Sequence, residues 1–245
     1  MNVHKPLPVH LSCYHNDNMA FDGGISEGLQ AVFFDVDGVL IDSVDIKGEC
    51  FVRAFSDFAD KGEQIRRWHK MNGGVNREVK IRAILKEVLG KIASEDEIAR
   101  KVKEYEKLVV NRVTLAPEIP GASVALNALK GETLMFATSA TPQDELNRIL
   151  TARGDSHFFS DIFGWPLTKK AAIMRVLEQY SLDPTKSALI GDSLEDFEAA
   201  KGAGVKFILV SREISQPECD ADAVIKDLTT LLPALLQVTG TDWED

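Results

Sequence analysis

Short apolar runs recur along the chain, separated by longer segments whose apolar residues follow helical spacing. The runs occupy residues 31–34, 134–137, 188–190, 205–210 and 223–225. Runs of this length, rich in aromatic and branched side chains, are typical of strands buried on both faces. The alternation of strands with helices predicts an α/β fold with a three-layer, doubly wound, Rossmann-like parallel sheet. A chain of 245 residues with 44% hydrophobic content is long enough to bury such a core.

The segment between the first two runs is predicted to be almost wholly helical. Asn76 precedes one amphipathic stretch, and Ser94 opens another with a capping box. We therefore predict a catalytic core of residues 29–43 and 117–245. An inserted all-helical domain of residues 44–116 is joined to it by two linkers.

The first strand ends in two acids, Asp35 and Asp37, followed at once by Gly38. In open α/β sheets, ligands bind in the crevice beyond the carboxyl ends of the strands, and a glycine there permits a sharp exit. Two carboxylates this close repel each other unless a metal ion or a shared proton compensates, and Mg²⁺ prefers hard oxygen ligands. The alternative is an exposed Asp-x-Asp-Gly turn with no function.

Polar residues also follow two later strands. Thr138 follows the second run, where Thr141 and the proline after it read as the start of a helix. Asp192 follows the third run, with Asp196 in the first turn of the next helix, where an acid also favours the helix dipole. Lys169 and the lysine after it lie at the start of another predicted helix. A lysine there is unfavourable to the helix dipole unless an anion lies nearby. Solvated surface lysines are the alternative there.

Composition restricts the classes of partner. The net charge is −10 and no basic run exists, which argues against nucleic acid or an anionic membrane surface. No apolar stretch reaches the ~18 residues that a membrane span needs. The three cysteines have neither pairing nor metal spacing, so we expect reduced thiols and a cytoplasmic location. Residues 1–28 lack periodicity and the hydrophobic core of a signal peptide, so we expect a disordered or loosely docked extension.

Four segments, taken in order, resemble the motifs of the haloacid-dehalogenase-like superfamily of phosphotransferases. They lie at residues 35–40 (DVDGVL), 134–139 (LMFATS), 168–170 (TKK) and 188–196 (ALIGDSLED). The resemblance implies that Asp35 attacks phosphorus to form an aspartyl-phosphate, while Asp37 protonates the leaving oxygen and then activates water. It also implies that Thr138 bonds the phosphoryl group and that Lys169, rather than Lys170, offsets its charge.

The same resemblance implies Mg²⁺ as the cofactor. Asp35, Asp192 and the backbone carbonyl of Asp37 would hold the ion, and Asp196 would orient the site. The implied partner is a small phosphorylated metabolite. A helical cap at the position of the insert would close over the site, exclude water and select that substrate.

A loop within the insert is predicted to touch the substrate. Gly74 allows close backbone approach, Asn76 starts a helix whose first amides are free, and Arg77 can grip an anion with two parallel hydrogen bonds. Ser139, next to Thr138, is a further candidate for substrate binding. The alternative is an interhelical turn whose arginine pairs with an acid.

A Mg²⁺-dependent phosphatase is the predicted activity. The runner-up is a phosphosugar mutase, because the loop sequence Gly-Val-Asn-Arg is similar to a cap segment of β-phosphoglucomutases, although those enzymes carry an acid where this chain has Gly191. Lys47 is the nearest candidate for the Schiff-base lysine of phosphonate hydrolases, but the residues around it do not resemble theirs. A non-catalytic sensor of phosphorylated metabolites is the third alternative. The substrate and the oligomeric state stay open.

Overall fold

A computed structural model describes residues 28–212 and 219–240 of the chain. The predicted N-terminal extension, apart from Gly28, lies outside the described residues. Within the described ranges, no helix is both long and apolar enough to cross a membrane.

A six-stranded sheet forms the centre of the fold. Its strands are β1 (Ala31–Asp35), β2 (Leu134–Pro142), β3 (Asp161–Trp165), β4 (Ser187–Gly191), β5 (Lys206–Val210) and β6 (Ala223–Ile225). They lie in the order β3-β2-β1-β4-β5-β6, and every neighbouring pair is parallel. The order reverses between β1 and β4, and in doubly wound sheets this switch point is where ligands bind. The predicted fold class is confirmed.

The side chains of β1 alternate between two apolar clusters, one on each face of the sheet. Ala31 and Phe33 pack with the helices on one face, whereas Val32 and Phe34 pack on the other, and all four are fully buried. A strand covered on both faces must be apolar at every position, which explains the continuous run in the sequence.

Helices cover both faces of the sheet. Those outside the insert are α5 (Ala122–Leu129), α6 (Gln143–Arg153), α7 (Lys169–Tyr180), α8 (Leu194–Ala203) and α9 (Leu231–Thr239). Helices α7 and α8 contribute to the cluster that contains Phe33, and α5, α6 and α9 contribute to the cluster that contains Phe34. The sheet and its two helical layers make the three-layer architecture.

All regular structure between Val44 and Thr114 is helical. It comprises α1 (Val44–Ala54), a 3₁₀ segment (Ser56–Lys61), α2 (Gly62–Met71), α3 (Arg77–Ala83), a π-helical turn (Ile84–Val88) and α4 (Glu95–Thr114). Phe51 of α1 stacks on Tyr105 of α4 with ring centroids 4.1 Å apart. The side chains of Asn76 and Ser94 accept hydrogen bonds from backbone amides at the starts of α3 and α4, as their sequence positions predict.

Two elements differ from the sequence prediction. Strand β3 at the sheet edge was not predicted, because its residues alternate between exposed and buried positions and form no continuous apolar run. The helix predicted to start at Thr141 begins at Gln143 instead, since β2 continues through Pro142. Thr141 makes no cap bond and is thereby available for contacts elsewhere.

Candidate active site

The predicted motifs lie together at the carboxyl-terminal end of the sheet, where β1, β2 and β4 finish. Asp35 stands opposite Thr138 in the β1–β2 register, and Phe34 stands opposite Ile190 in the β1–β4 register. Residues that follow the ends of these three strands therefore converge, although they are far apart in the sequence. This convergence places Asp35, Asp37 and Asp192 in the wall of one cavity.

Asp35 is held in a fixed orientation. Its side chain is 4% exposed, and Oδ1 accepts a hydrogen bond of 2.8 Å from the backbone amide of Val36. The same oxygen lies 3.0 Å from Nζ of Lys169, whose ammonium also donates to Asp196 Oδ1 at 2.6 Å. Burial works against the charge on Lys169, but Asp196 and Asp35 outweigh it and raise the lysine pKa well above its usual value.

Three acids make a cluster that suits a divalent cation. Each of Asp35, Asp192 and Asp196 offers an oxygen within 4.8 Å of the others, the one such group found among the described residues. Burial, together with repulsion among the acids, raises the pKa of Asp35 well above its usual value and that of Asp192 to about 7. One lysine does not compensate these buried charges. Hard carboxylate oxygens that lack compensation fit Mg²⁺, so the residues present are suited to that ion.

Two glycines allow this crowding of acids. A Cβ on Gly38, whose φ is +90°, would stand 2.0 Å from Oδ2 of Asp192. A Cβ on Gly191 would stand 2.3 Å from the Cβ of Asp196. Asp196 is itself locked by a capping box with Ser193 at the start of α8. A side chain at either glycine would therefore displace an acid of the cluster.

Asp37 has a different environment from Asp35. Its Oδ2 lies 2.5 Å from Nζ of Lys47 and accepts from the hydroxyls of Ser139 and Thr141, while Oδ1 accepts from Ser43 at 2.6 Å. Burial favours the neutral acid, but Lys47 and the hydroxyls of Ser43 and Ser139 outweigh it and lower the pKa of Asp37 to about 2. Asp35 and Asp37, which are separated by one residue, thus have pKa values shifted in opposite directions: that of Asp35 is raised and that of Asp37 is lowered.

The end of β2 contributes Ser139 and Thr141 to the cavity wall, whereas Thr138 is not among the lining residues. Thr138 is buried, and its hydroxyl donates to the carbonyl of Phe34 at 3.4 Å. Ser139 Oγ accepts from the amide of Thr141 at 3.0 Å. The predicted bond from Thr138 to a phosphoryl group therefore remains a prediction, while the structure gives Ser139 and Thr141 direct access to the cavity.

The loop of the insert meets the core beside these acids. Gly74 lines the cavity with a φ of +71°, and a Cβ there would stand 2.0 Å from Oε2 of Glu195. Asn76 is not among the lining residues and instead caps α3. His69, at the end of α2, also lines the cavity.

Arg77 lies in the cavity wall, but its guanidinium is already paired. Nη2 donates to Oε1 of Glu145 on α6 at 2.6 Å, and both side chains are nearly fully buried. The ring of Tyr105 lies 5.0 Å beneath the guanidinium carbon. This arrangement corresponds to the alternative of an ion pair with an acid, and it links the insert to the core. Contact between Arg77 and substrate stays a prediction.

One cavity of about 620 Å³ lies between the carboxyl-terminal end of the sheet and the insert. Its wall includes Asp35, Asp37, Lys169 and Asp192 from the core, and Lys47, His69, Gly74, Arg77 and Lys80 from the insert. Sequence reasoning did not select Thr141, Glu145 or Lys80, and it considered Lys47 only for a chemistry that it set aside. A volume of this size is typical of sites for small molecules.

Comparisons with known proteins identify relatives of this chain. Residues 32–210 match the family model described as haloacid dehalogenase-like hydrolase. A phosphoglycolate phosphatase of Aquifex aeolicus is 28% identical over 187 residues, which cover 74% of this chain and 84% of that protein. A phosphorylated carbohydrates phosphatase of Thermotoga maritima is 30% identical over 187 residues with the same coverage.

A solved structure has the same fold at a lower level of sequence identity. It is that of a predicted phosphoglycolate phosphatase from Haemophilus somnus, with a TM-score of 0.71 and 20% identity. The match covers 84% of this chain and 97% of that one.

Proposed function

Because the chain belongs to the haloacid dehalogenase-like hydrolases, we propose that it is a Mg²⁺-dependent phosphatase that hydrolyses a small phosphorylated metabolite through an aspartyl-phosphate on Asp35. The observation that carries this proposal is the contrast between Asp35 and Asp37. Asp35 is oriented by Lys169 within an acidic cluster, and Asp37 stands beside it in a separate set of hydrogen bonds. These two environments suit a nucleophile and a proton-transfer group.

In the first half of the proposed reaction, a carboxylate oxygen of Asp35 attacks phosphorus in line with the ester oxygen. The new O–P bond forms as the bond to the substrate oxygen breaks, and Asp37 gives that oxygen a proton. Lys169 stabilises the negative charge on the phosphoryl oxygens, and Ser139 in the cavity wall donates to them. Since Lys47 keeps Asp37 ionised, Lys47 must withdraw before Asp37 can carry a proton.

In the second half, ionised Asp37 accepts a proton from water. The resulting hydroxide oxygen attacks phosphorus, the bond to Asp35 breaks, and inorganic phosphate leaves. Asp35 regains its carboxylate and Asp37 now carries the proton that it gives to the next leaving group, so the first half can begin again. The low pKa of Asp37 keeps this carboxylate ionised, which is the form that the base role requires, across neutral pH.

Mg²⁺ would be held by Asp35, Asp192 and the backbone carbonyl of Asp37, with Asp196 positioning the cluster. When bound, it would supply positive charge to the transferring phosphoryl group and offset the repulsion among the acids. The helical segment 44–116 would act as the cap over this site, because its loop at Gly74 and its residues Lys47 and Lys80 form the opposite wall of the cavity.

Release of phosphate should depend on the metal. We expect the purified protein to hydrolyse p-nitrophenyl phosphate with Mg²⁺, to lose nearly all activity after treatment with a chelator, and to recover it when Mg²⁺ is restored. Without metal, the charges of Asp35, Asp192 and Asp196 repel an incoming dianion. Free phosphate is measured against a blank without enzyme. Activity that persists in the chelator would contradict the metal site.

A panel of phosphorylated metabolites, including β-glucose 1-phosphate, separates the alternatives. Selective phosphate release identifies a phosphatase. Glucose 6-phosphate formed in the presence of a bisphosphate primer, without phosphate release, would identify the mutase instead. No turnover of any compound, together with binding of one of them, would favour the sensor.

Removing the Lys47 ammonium should move the acidic limb of the pH–rate profile. Burial alone raises the pKa of Asp37, and the charge of Lys47 is the largest contribution that lowers it. In Lys47→Met that pKa should therefore rise above about 2. Since the base role needs ionised Asp37, activity should begin to fall at a higher pH as the solution is acidified.

The measurement is kcat for p-nitrophenyl phosphate from about pH 3 to pH 8, because kcat includes hydrolysis of the aspartyl-phosphate, in which Asp37 is the base, whereas kcat/KM ends at its formation. Lys86→Met, an exposed lysine of the same insert, is the matched control and should retain the profile of the unmodified protein. Superimposable acidic limbs for Lys47→Met and Lys86→Met would exclude this influence of Lys47 on Asp37.

A further inference from the structure

Lys80 is a buried cation that faces the cavity from helix α3. Its relative exposure is 5%, and its Nζ lies 3.3 Å from Nδ1 of His69. Over residues 28–212 and 219–240, no carboxylate lies within the 4.0 Å of an ion pair to it. By contrast, the buried ammonium groups of Lys101 and Lys169 both have carboxylate partners. A buried charge is ordinarily paired, because its desolvation is unfavourable.

His69 does not supply the missing charge. Its Nε2 lies 3.2 Å from the carbonyl of Val44, to which the ring N–H donates, so Nδ1 accepts a hydrogen bond from Lys80. Burial, together with the nearby lysines, lowers the pKa of His69 to about 3, and the ring is neutral. An ammonium has three protons. His69 therefore holds one of them and orients the group, while two remain for another acceptor.

The surroundings of Lys80 also favour an anion. Burial and the charge of Lys47 lower the pKa of Lys80 to about 8, although the more distant charges of Asp37, Asp192 and Glu195 act in the opposite direction. Both lysines line the same cavity as Asp35 and Lys169. A second negative group on a ligand would relieve the repulsion between the two lysines.

We propose that Lys80, oriented by His69, is the centre of an anion subsite, and that the substrate is a phosphate monoester with a second acidic group. This inference rests on the proposed function, because the phosphoryl group is assigned to the Asp35 end of the cavity. The second group is a carboxylate or a second phosphate, both of which accept charge-assisted hydrogen bonds from an ammonium. Asp35 and Lys80 line the same cavity, whose volume of about 620 Å³ can hold both acidic groups of one small molecule.

Three substrates with the same two-carbon skeleton test the subsite. They are 2-hydroxyethyl phosphate with a neutral end, phosphoglycolate with a carboxylate, and ethylene glycol bisphosphate with a second phosphate. We expect kcat/KM for at least one acidic substrate to exceed that for the neutral one by about tenfold or more. The preferred acidic substrate distinguishes carboxylate from phosphate.

The variant Lys80→Met keeps the length of the side chain and removes its charge. We expect it to lower the ratio of acidic to neutral kcat/KM by about tenfold to hundredfold, and Lys80→Arg to preserve a larger ratio than Lys80→Met. Lys86→Met, the same change at an exposed site of the insert, should leave the ratio unchanged. A change that was merely structural would affect all three substrates alike.

Binding without turnover separates this inference from the proposed function. Calorimetry compares ethylphosphonate with phosphonoacetate and with 1,2-ethanediphosphonate, which add a carboxylate or a second phosphonate, and none of the three can be hydrolysed as an ester. Tighter binding of either diacid that is lost in Lys80→Met supports the subsite, even if no ester is hydrolysed and the proposed function fails. Equal binding of all three compounds, or a preference that survives in Lys80→Met, overturns the subsite, even if phosphatase activity is established.

Discussion

Asp35→Asn is expected to lower kcat by at least about a thousandfold, because an amide oxygen cannot form the aspartyl-phosphate. The substitution keeps the size of the side chain and the acceptor that faces the Val36 amide and Lys169. Since burial and neighbouring acids disfavour the charge on Asp35, a neutral residue at this position should not destabilise the fold. Loss of turnover without loss of structure is the signature of a nucleophile.

The experiment measures phosphate release and thermal unfolding in the same preparation. Asp96→Asn, an identical change at an exposed position of α4, is the matched control and should retain both activity and stability. A second measurement follows the covalent step, since brief exposure to substrate should transfer phosphate to the unmodified protein and not to Asp35→Asn. Turnover by Asp35→Asn at a rate near that of the Asp96→Asn control would exclude Asp35 as the nucleophile.

The sheet and its acids were predictable because each rests on a local signal. Strand β1 is apolar at every position since it is covered on both faces, and the topology then places its carboxyl end beside those of β2 and β4. Asp35 and Asp192 could be located from this rule alone. Among the described residues, β3 pairs with a strand on one side only, and its residues alternate between exposed and buried positions, so no such signal marks it.

The insert side of the cavity was less predictable, because helical periodicity does not say which polar residue turns inward. Lys47 and Lys80 occupy ordinary positions on short helices, and only the tertiary packing brings both to the acids of the core. Thr141 read as a helix cap because a proline follows it, yet β2 continues past it and directs its hydroxyl to Asp37. Long-range pairing overrides a local propensity in such places.

Glu145→Ala is expected to lower the free energy of unfolding strongly, although Glu145 lies away from the acidic cluster. It would leave the guanidinium of Arg77, which is 7% exposed, without its carboxylate partner at 2.6 Å. Nη1 of Arg77 already has no hydrogen-bond partner among the described residues, so loss of Glu145 would leave the guanidinium with still fewer acceptors. Breaking a buried pair in this way lowers the free energy of unfolding by about 3–5 kcal/mol, or roughly 6–20 °C in Tm for a chain of this size.

Glu106→Ala provides the matched control for that loss, since Glu106 lies 3.6 Å from the same guanidinium but its side chain is 46% exposed. An exposed partner contributes at most about 1 kcal/mol, so the control should shift Tm only slightly. The double variant Arg77→Met/Glu145→Leu removes both charges and should recover much of the stability that Glu145→Ala loses. Recovery would show that the loss arises from an unpaired buried cation rather than from a missing side chain in α6. Equal Tm values for Glu145→Ala and Glu106→Ala would mean instead that the pair does not hold the insert to the core.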